Sequence, residues 1–511
     1  MTFLLKVNEF EYGADSTNTN SGDIVSHILN DEEANIHYRY SSAENLLDNL
    51  GDLKAMIEHH MKKQVPRLKI LNDYYIGRNT YIYNVVRRID KEKADHRISH
   101  NFARYISQFI QGYLVGNPVK ISHEDENITE AIEEINVMND TDSQNADLVL
   151  DQSKYGRAYE FVMRNQEDED RFYLSSVFET FVIYSDEIDM RPIAAVRYTT
   201  SWDDEGKIIT PTLYTATKNY KFKSTKADNI KLEHDGEGQE HKFSGVQIIE
   251  YQNNRFRLGD YENVISLIDA YDSAQSDTAN YMTDLNDALL AIIGRVEVPE
   301  NINRMLKEAN AALITPEKSV DGKTEKVSID YKYKQYDVEG TEAYKRRITE
   351  DIHKFSNTPN MNDENFASNT SGVAMKYKLF GLEQARASKE AMFSKGLRQR
   401  YKLIANVKGA LSEFDKDLNL SKLTITFTPN FPEATETELK AFVDAGGELS
   451  QETLLGTLSF VENAQEELER IEKEKTEAND YTDEQKAQFD KMREELLANQ
   501  TEKETVDENG D

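Results

Sequence analysis

The sequence predicts an α+β fold in which long helices surround a β-rich block. Apolar residues recur at helical spacing over 263–293, 340–355 and 372–408, whereas 158–251 is rich in β-branched and aromatic residues. A charge-rich helical pattern follows residue 433. With 511 residues, the chain is long enough for about three domains.

The N-terminal part combines a polar segment with several predicted helices. Residues 1–40 are polar and weakly periodic, which is typical of a flexible arm. Helical periodicity follows over 42–72, 101–114 and 145–155. With the β-rich block, these helices define a region that extends from 41 to 262.

The β-rich block is predicted to be mostly antiparallel. Its candidate strands alternate with polar, glycine-containing turns such as Asp203-Asp-Glu-Gly206 and Asp235-Gly-Glu-Gly238. The clearest strands are Ala158–Met163, Thr180–Tyr184 and Ile193–Tyr198.

A long amphipathic helix is predicted over 263–293 and ends at Gly294. Its apolar face carries Val264, Ile268, Tyr271, Met282, Leu285 and Leu289. Its opposite face carries Asp269, Asp272, Asp277, Asp284 and Asp287. We interpret the aspartates as the solvent-facing side of the helix.

A compact insert at 294–337 separates this helix from a second one. The insert is predicted to contain a helix at 299–312 between short strands. The second helix, 340–355, has an apolar stripe made of Tyr344, Ile348, Ile352 and Phe355. Two helices with one stripe each cannot bury both stripes alone, so we expect each stripe to need a further packing partner.

An Asn-rich segment interrupts the helical pattern at 357–371. Five of its fifteen residues are Asn, which favours neither helix nor strand. Connections of this length are usually functional or disordered. The longest predicted helix, 372–408, follows, and then a strand at 423–427. The last region, 433–511, carries 24 acidic and 8 basic residues, so we expect a charged helical tail with a disordered end.

Composition excludes several classes of protein. The formal net charge of -32 argues against a protein that coats nucleic acid. The chain has no cysteine, which excludes disulfides, thiolate zinc sites and cysteine nucleophiles. It has neither a membrane-spanning apolar run nor a signal-peptide core, so we expect it to stay in the compartment where it is made.

No catalytic motif is evident. The chain lacks a phosphate-binding Gly-x-x-x-x-Gly-Lys-Ser/Thr sequence. His96 and His100 have the i,i+4 spacing of metal ligands, but no glutamate accompanies them as in His-Glu-x-x-His, so a surface or helix-start role is favoured. We therefore expect no catalytic residue, metal or cofactor. The alternative enzyme hypothesis is a metal-dependent nuclease that uses the acidic helix face between Asp269 and Asp287.

Several segments, taken in order, resemble the portal proteins of long-tailed phages that infect Gram-positive bacteria. The resemblance extends over roughly 74–474 and depends on the order and spacing of the segments, since none is decisive alone. They are Tyr74–Arg78, Asn101–Pro118, Tyr155–Glu160, Leu267–Asp272 with Asp284–Leu289, Ser371–Lys376 with Leu382–Arg386, and Ser450–Leu455.

The resemblance implies a ring-forming subunit, usually of a dodecamer, around an axial DNA channel at one capsid vertex. Its expected regions are listed here in chain order. They are a flexible arm (1–40), a wing (41–262), stem helix 1 (263–293), a small α/β clip (294–337), stem helix 2 (338–356), a tunnel loop (357–371), a long wing helix and strand (372–432), and a helical crown (433–511).

The resemblance also suggests roles for particular residues. The tunnel-loop residues expected to face DNA are Asn357, Thr358, Asn360, Asn362, Asp363, Glu364, Asn365 and Asn369. Complementary charge for stem packing would come from the five aspartates of the first helix and from Lys345, Arg346, Arg347 and Lys354 of the second. Candidate docking residues of the clip are Glu297, Glu300, Arg304, Lys307 and Glu308.

The implied partners are further copies of the chain, the terminase large subunit, a head–tail adaptor, the major capsid and scaffolding proteins, and double-stranded DNA that passes through without sequence specificity. The expected location is the virion portal vertex, with the host cytoplasm during assembly. Apart from the nuclease, the remaining alternative is a capsid scaffold protein built from the charged tail helices.

Overall fold

A computed structural model describes most of the chain between residues 28 and 475. The described residues are 28–85, 87, 94–204, 206–284, 289–293, 296–297, 315–316, 328–332, 337–361, 379–411, 422–430, 450–451, 455, 461, 464–465 and 467–475. From 284 to 332 the description covers the backbone only. The chain divides into two compact units, one of Met1–Asn369 with Lys376–Phe427 and one of Thr370–Met375 with Thr428–Asp511.

The first unit contains the principal helices. In chain order they are α1 (Ala43–Asp48), α2 (Leu50–His59), α3 (Val65–Tyr75), α4 (Thr80–Asn84), α5 (Phe102–Val115), α6 (Glu126–Met138), α7 (Thr141–Tyr155), α8 (Ile265–Asp284), α9 (Val338–Phe355) and α10 (Phe380–Ala410). A π-helical turn, His60–Gln64, joins α2 to α3. Helix α5 begins where the sequence predicts, because the side chain of Asn101 accepts a hydrogen bond from the Arg104 amide at 3.1 Å and so caps the helix.

The strands lie mainly between α7 and α8. They are β1 (Tyr38–Tyr40), β2 (Lys120–Ser122), β3 (Arg157–Arg164), β4 (Asp170–Ser175), β5 (Thr180–Ser185), β6 (Pro192–Asp203), β7 (Gly206–Thr215), β8 (Lys218–Lys221), β9 (Thr225–Lys226), β10 (Gln239–Glu240), β11 (Ile248–Gln252), β12 (Leu289–Ile293), β13 (Val296–Glu297), β14 (Thr315–Pro316), β15 (Ser328–Lys332) and β16 (Thr424–Thr426).

Two sheets form the β-rich block. The larger has seven strands in the order β1-β5-β6-β7-β8-β10, with β9 paired to β7. The smaller has the order β11-β3-β4. Every pair in both sheets is antiparallel except β1 with β5, which is parallel. The prediction of a mostly antiparallel block is therefore confirmed.

Each sheet has its own apolar core. The larger sheet packs against α1 and α2, and the fully buried residues of that core include Leu46, Leu53, Ile183 and Leu213. The smaller sheet packs against α5, α6 and α7, which precede it in the chain, and against α10, which contributes Phe393, Leu397 and Ile404. Helix α10 therefore shares one core with α5 and α7, although it follows them by more than 200 residues in the sequence.

The structure corrects the prediction of a flexible arm over 1–40 for its last thirteen residues. Strand β1 pairs in register with β5, and Tyr38 is buried. The amide side chain of Asn35 donates to the carbonyl oxygen of Phe256 at 2.8 Å. The prediction is wrong here because polar residues can be fixed by distant partners that local periodicity does not reveal; residues 1–27 lie outside the described part.

Two predicted helices have different bounds in the structure. Helix α8 ends by Asp284 instead of 293, because Leu289–Ile293 forms a strand that pairs antiparallel with Ser328–Lys332. A short apolar run is compatible with either a buried strand or a helix, and only the pairing partner decides between them. The long helix begins at Phe380 rather than 372, and residues 372–378 lie outside the described part.

The second unit is described only in short pieces. Residues 467–475 are helical, as predicted for the charged tail. Within them Arg470 and Glu467 form an exposed ion pair at 3.4 Å. The rest of the predicted tail and the predicted helix at 299–312 lie outside the described residues.

Candidate functional site

Helices α8 and α9 pack against each other and bring the two predicted apolar stripes into one region. Ile268 of α8 is buried, as are Ile348 and Ile352 of α9. Met282, Tyr344 and Phe355 remain more than half exposed. The expectation that the stripes have no cover within their own chain is therefore wrong for the first group and holds for the second.

An extended strap, residues 94–100, lies along α8 and is held by its side chains. The amides of His96, Ile98 and His100 donate to Asn280 Oδ1 at 2.7 Å, Ser276 Oγ at 3.0 Å and Asp272 Oδ1 at 2.9 Å respectively. Two residues of extended chain rise about 6.6 Å, and four residues of helix rise about 6 Å, so the two repeats match. Side chains one helical turn apart on α8 therefore accept hydrogen bonds from alternate backbone amides of the strap.

The aspartates of α8 do not form one solvent-facing stripe. Asp272 is fully buried and accepts hydrogen bonds from Asn79 Nδ2 at 2.7 Å and from the amide and ring Nδ1 of His100, both at 2.9 Å. Asp269 accepts from the Tyr74 hydroxyl at 2.7 Å, and burial raises its pKa to about 6. The expectation of an exposed stripe is wrong for both residues, because segments far away in sequence cover this face.

Among the other predicted acidic residues, only Asp277 keeps a largely exposed side chain in the described part. Its Oδ1 lies 2.5 Å from Nη2 of Arg87. The Asp284 side chain and Asp287 lie outside the description. Among the aspartates whose side chains are described, Asp277 is therefore the one that a second molecule could reach.

The basic residues of α9 also differ in exposure. Lys345 is buried, and its Nζ donates to Gln275 Oε1 of α8 at 3.1 Å, so it joins the two helices within one chain. Arg346, Arg347 and Lys354 are exposed, and Arg347 forms an i,i+4 pair with Asp351 at 3.2 Å. The expectation that Lys345 faces a neighbouring copy is wrong, whereas the other three remain accessible.

An open groove of about 570 Å³ lies between α4, α8 and the start of α9. Small side chains line much of it, and Asp277 and Asp337 contribute negative charge. Its lining residues are Tyr81, Ala270, Ser273, Ala274, Asp277, Asp337, Gly340, Thr341 and Tyr344. The exposed Tyr344, one of the uncovered apolar side chains, borders this groove.

The beginning of the Asn-rich segment is fixed against the end of α9. Thr358 is buried, its amide donates to the carbonyl of His353 at 3.1 Å, and its Oγ1 lies 2.5 Å from Ser356 Oγ. The expectation that Thr358 faces DNA is therefore wrong, while Asn357 is exposed. Asn362, Asp363, Glu364, Asn365 and Asn369 lie outside the described residues.

The predicted clip is described only as two antiparallel strand pairs, β12 with β15 and β13 with β14. Glu297 lies in β13 opposite Thr315, with its side chain outside the description. Glu300, Arg304, Lys307 and Glu308 lie outside it altogether. The pairing of Leu289 with Lys332 places the base of the insert five residues before the predicted boundary at 294.

The described part of the chain contains no group of three or more His, Asp or Glu side chains that is arranged to hold a metal ion. His100, one half of the spaced histidine pair, binds Asp272, and His96 Nε2 lies 2.8 Å from Thr283 Oγ1. No helix among the described residues is both long and apolar enough to cross a membrane.

Comparison with known families identifies the architecture. The family described as "Phage portal protein, SPP1 Gp6-like" matches residues 54–481, which is most of the chain. This chain belongs to that family. The fold is accordingly a portal fold, and the portal family is generally structural rather than catalytic.

Two curated portal proteins are similar to this family member. The portal protein of Bacillus phage SPP1 is 25% identical over 447 residues, which cover 83% of this chain and 86% of that protein. The portal protein of Clostridium phage phiCD119 is 22% identical over 331 residues, which cover 60% and 71% respectively. A chain from the neck of an empty GTA particle aligns with a TM-score of 0.39 and 12% identity, covering 69% of this chain and 89% of its own length.

Proposed function

We propose that this chain is a subunit of a homo-oligomeric, dodecameric portal ring, which forms the DNA channel at one vertex of a tailed-phage capsid. The observation that carries the proposal is the family match over 54–481. Membership of this family implies self-assembly into a ring and interaction with capsid and DNA. The ring would admit the genome during packaging, retain it and release it at ejection.

Within that ring, we assign the surface around α8 and α9 to contact between neighbouring subunits. Tyr344, Phe355 and Met282 are exposed apolar side chains, and burying such a side chain contributes about 1.5–3 kcal/mol. Arg346, Arg347 and Lys354 can lie opposite the acidic groove of the next copy. Each exposed ion pair of this kind contributes only about 0.2–1 kcal/mol, so the apolar contacts dominate.

The Asn-rich segment is the proposed DNA-facing loop. Amide side chains such as those of Asn357 and Asn360 can donate hydrogen bonds to phosphates without strong Coulomb attraction. Contacts of this kind are weak and exchangeable, which suits a polymer that must move past them. The high negative charge of the chain, -32, also disfavours tight binding of DNA.

The assembly hypothesis is tested by weighing the purified protein and imaging it in negative stain. We expect rings many times heavier than the 58.7 kDa subunit. Tyr344→Ser with Phe355→Ser should shift the mass distribution toward single subunits, whereas Trp202→Ser, which removes a still more exposed ring from the β6–β7 hairpin, should not.

Two outcomes would favour the other candidate functions. A monomer that cuts DNA in the presence of magnesium would favour the nuclease. Loss of assembly on deleting 433–511 would favour a scaffold built from the tail helices, since a portal should still form rings without that tail.

Docking of the terminase large subunit and of a head–tail adaptor is assigned to the insert at 294–337. Its charged residues Glu297, Glu300, Arg304, Lys307 and Glu308 are the proposed contacts. Reversing all five charges should reduce terminase stimulation and adaptor binding. Reversal of the exposed pair Lys223 and Glu233, which lie 3.1 Å apart in the β-rich block, is the matched control. Unchanged binding would remove the assignment.

A further inference from the structure

The two ends of the chain segment between α9 and α10 meet each other. A Cβ added to Gly381 would lie 3.3 Å from Asn357 Oδ1, so the second residue of α10 contacts a residue just beyond the end of α9. Asn357 has a φ of +55°, a left-handed conformation that Asn tolerates better than most residues. The two described ends of the intervening segment therefore lie next to each other.

A row of three aromatic rings on α5 lies beside both ends. Tyr105, Phe109 and Tyr113 occur at i, i+4 and i+8, which places them on one face of the helix. Neighbouring rings are stacked, with centroids 6.1 Å apart for the first pair and 6.5 Å for the second. Stacking of this kind restricts the rotation of each ring, so the hydroxyl groups at the two ends of the row have fixed positions.

The two hydroxyls bind opposite ends of the segment. The Tyr105 hydroxyl donates to the carbonyl oxygen of Pro359 at 2.9 Å, and the Tyr113 hydroxyl donates to Glu383 Oε1. Eight residues of helix span about 12 Å, so one rigid element sets the separation of the two anchors. Burial raises the pKa of both tyrosines, which keeps the hydroxyls protonated as donors.

We propose that Tyr105 and Tyr113 are positioning residues: their hydroxyls fix both ends of the segment between Pro359 and Glu383 on helix α5. The two anchored ends, Pro359 and Glu383, would then move together with α5. Helix α5 directly follows the strap that pairs with Asp272, Ser276 and Asn280 of α8. A shift of α8 would therefore be passed to both ends of the loop together. The consequence for DNA rests on the proposed function, since it assumes that 357–371 faces the channel.

The test uses Tyr105→Phe, Tyr113→Phe and the double variant in the full-length assembled protein. Each change keeps the stacked ring and removes one hydrogen bond, which contributes about 1 kcal/mol. We expect hydrogen exchange in peptides covering 353–361 and 379–386 to accelerate by about fivefold per lost bond. Because the ends contact at Asn357 and Gly381, each single variant should accelerate exchange at both ends.

General destabilisation would not give this pattern. Amides of the buried helix α7 serve as the internal reference and should exchange at the wild-type rate. Tyr173→Phe, on the exposed face of β4, is the matched control and should change neither end. Unchanged exchange at both ends in the double variant would overturn the proposal.

A second readout separates this proposal from the proposed function. Particles assembled with the double variant are assayed for retained DNA. Faster exchange with reduced retention supports both hypotheses. Faster exchange with normal retention supports the positioning role and contradicts the assignment of 357–371 as the DNA-facing loop.

Discussion

Arg400 and Glu160 form a two-pronged ion pair in which both side chains are fully buried. Nε and Nη2 of Arg400 lie 2.8 and 2.7 Å from the two carboxylate oxygens. Tyr251 and Gln144 donate to the same carboxylate at 2.7 and 2.8 Å. Burial alone would lower the pKa of Arg400, but the Glu160 carboxylate more than offsets this and raises it. The pair joins α10 to β3, which are 240 residues apart in sequence.

Replacing one partner of this pair should be strongly destabilising. Arg400→Met leaves a buried carboxylate without its counter-charge, and such losses cost about 3–5 kcal/mol. Chemical denaturation should show this decrease in the free energy of unfolding, and Lys223→Met in the exposed pair with Glu233 should cost less than about 1 kcal/mol. Equal effects of the two substitutions would contradict the prediction.

The N-terminal segment gives a second prediction. Deleting residues 1–40 removes buried Tyr38, the Ile36 carbonyl that accepts from Arg257 Nη1 at 2.8 Å and the Asn35 side chain that accepts from Arg157 Nη1 at 3.2 Å. Each buried donor left without an acceptor costs about 1–3 kcal/mol. We expect a clear fall in Tm.

Deletion of residues 1–27 is the matched control for that truncation, because it spares every one of these contacts. Its Tm should remain close to that of the full chain. Two truncations of equal stability would show that β1 contributes nothing to the fold.

Asp269 should make stability depend on pH. Its folded pKa, about 6, is above the ordinary value of 3.8, so the folded state binds this proton more tightly than the unfolded state. Stability should therefore decrease as pH rises from about 4 to 6 and remain lower above that range. Asp269→Asn keeps an acceptor for Tyr74 and removes the charge.

We expect the Asp269→Asn variant to be more stable than wild type at pH 7, by about 1–3 kcal/mol, and the difference to shrink toward pH 5. Urea denaturation between pH 5 and 8 measures this. Asp277→Asn, at a largely exposed carboxylate of the same helix, should leave the slope unchanged. A wild-type pH slope in the Asp269 variant would contradict the assignment.

The strap on α8 gives a fourth prediction. Ser276→Ala removes the middle acceptor of the three that hold residues 96–100 and should cost about 1–2 kcal/mol. Hydrogen exchange of the Ile98 amide should accelerate most. Thr278→Ala, whose hydroxyl donates to the Ala274 carbonyl of its own helix at 2.8 Å, is the control and should leave the exchange of Ile98 unchanged.

Sequence patterns predicted the elements whose cause is local. The capped helix at Asn101, the antiparallel hairpins of 158–251 and the helix ending at Phe355 all follow from periodicity and turn residues within a few positions. The boundary at Leu289–Ile293 was mispredicted because its apolar run is explained only by a partner strand about forty residues later.

The amino-acid sequence by itself determined the α+β class, the order of the elements and, through segments in their characteristic order, the resemblance to portal proteins. Only the tertiary structure decided which charged residues remain accessible. Asp272 was expected to face solvent and Lys345 to face a neighbouring copy, yet both are buried against partners distant in sequence, as is Arg400. Burying a charge is favourable only when such a partner completes its hydrogen bonds, and periodicity carries no information about partners that the fold brings in from elsewhere.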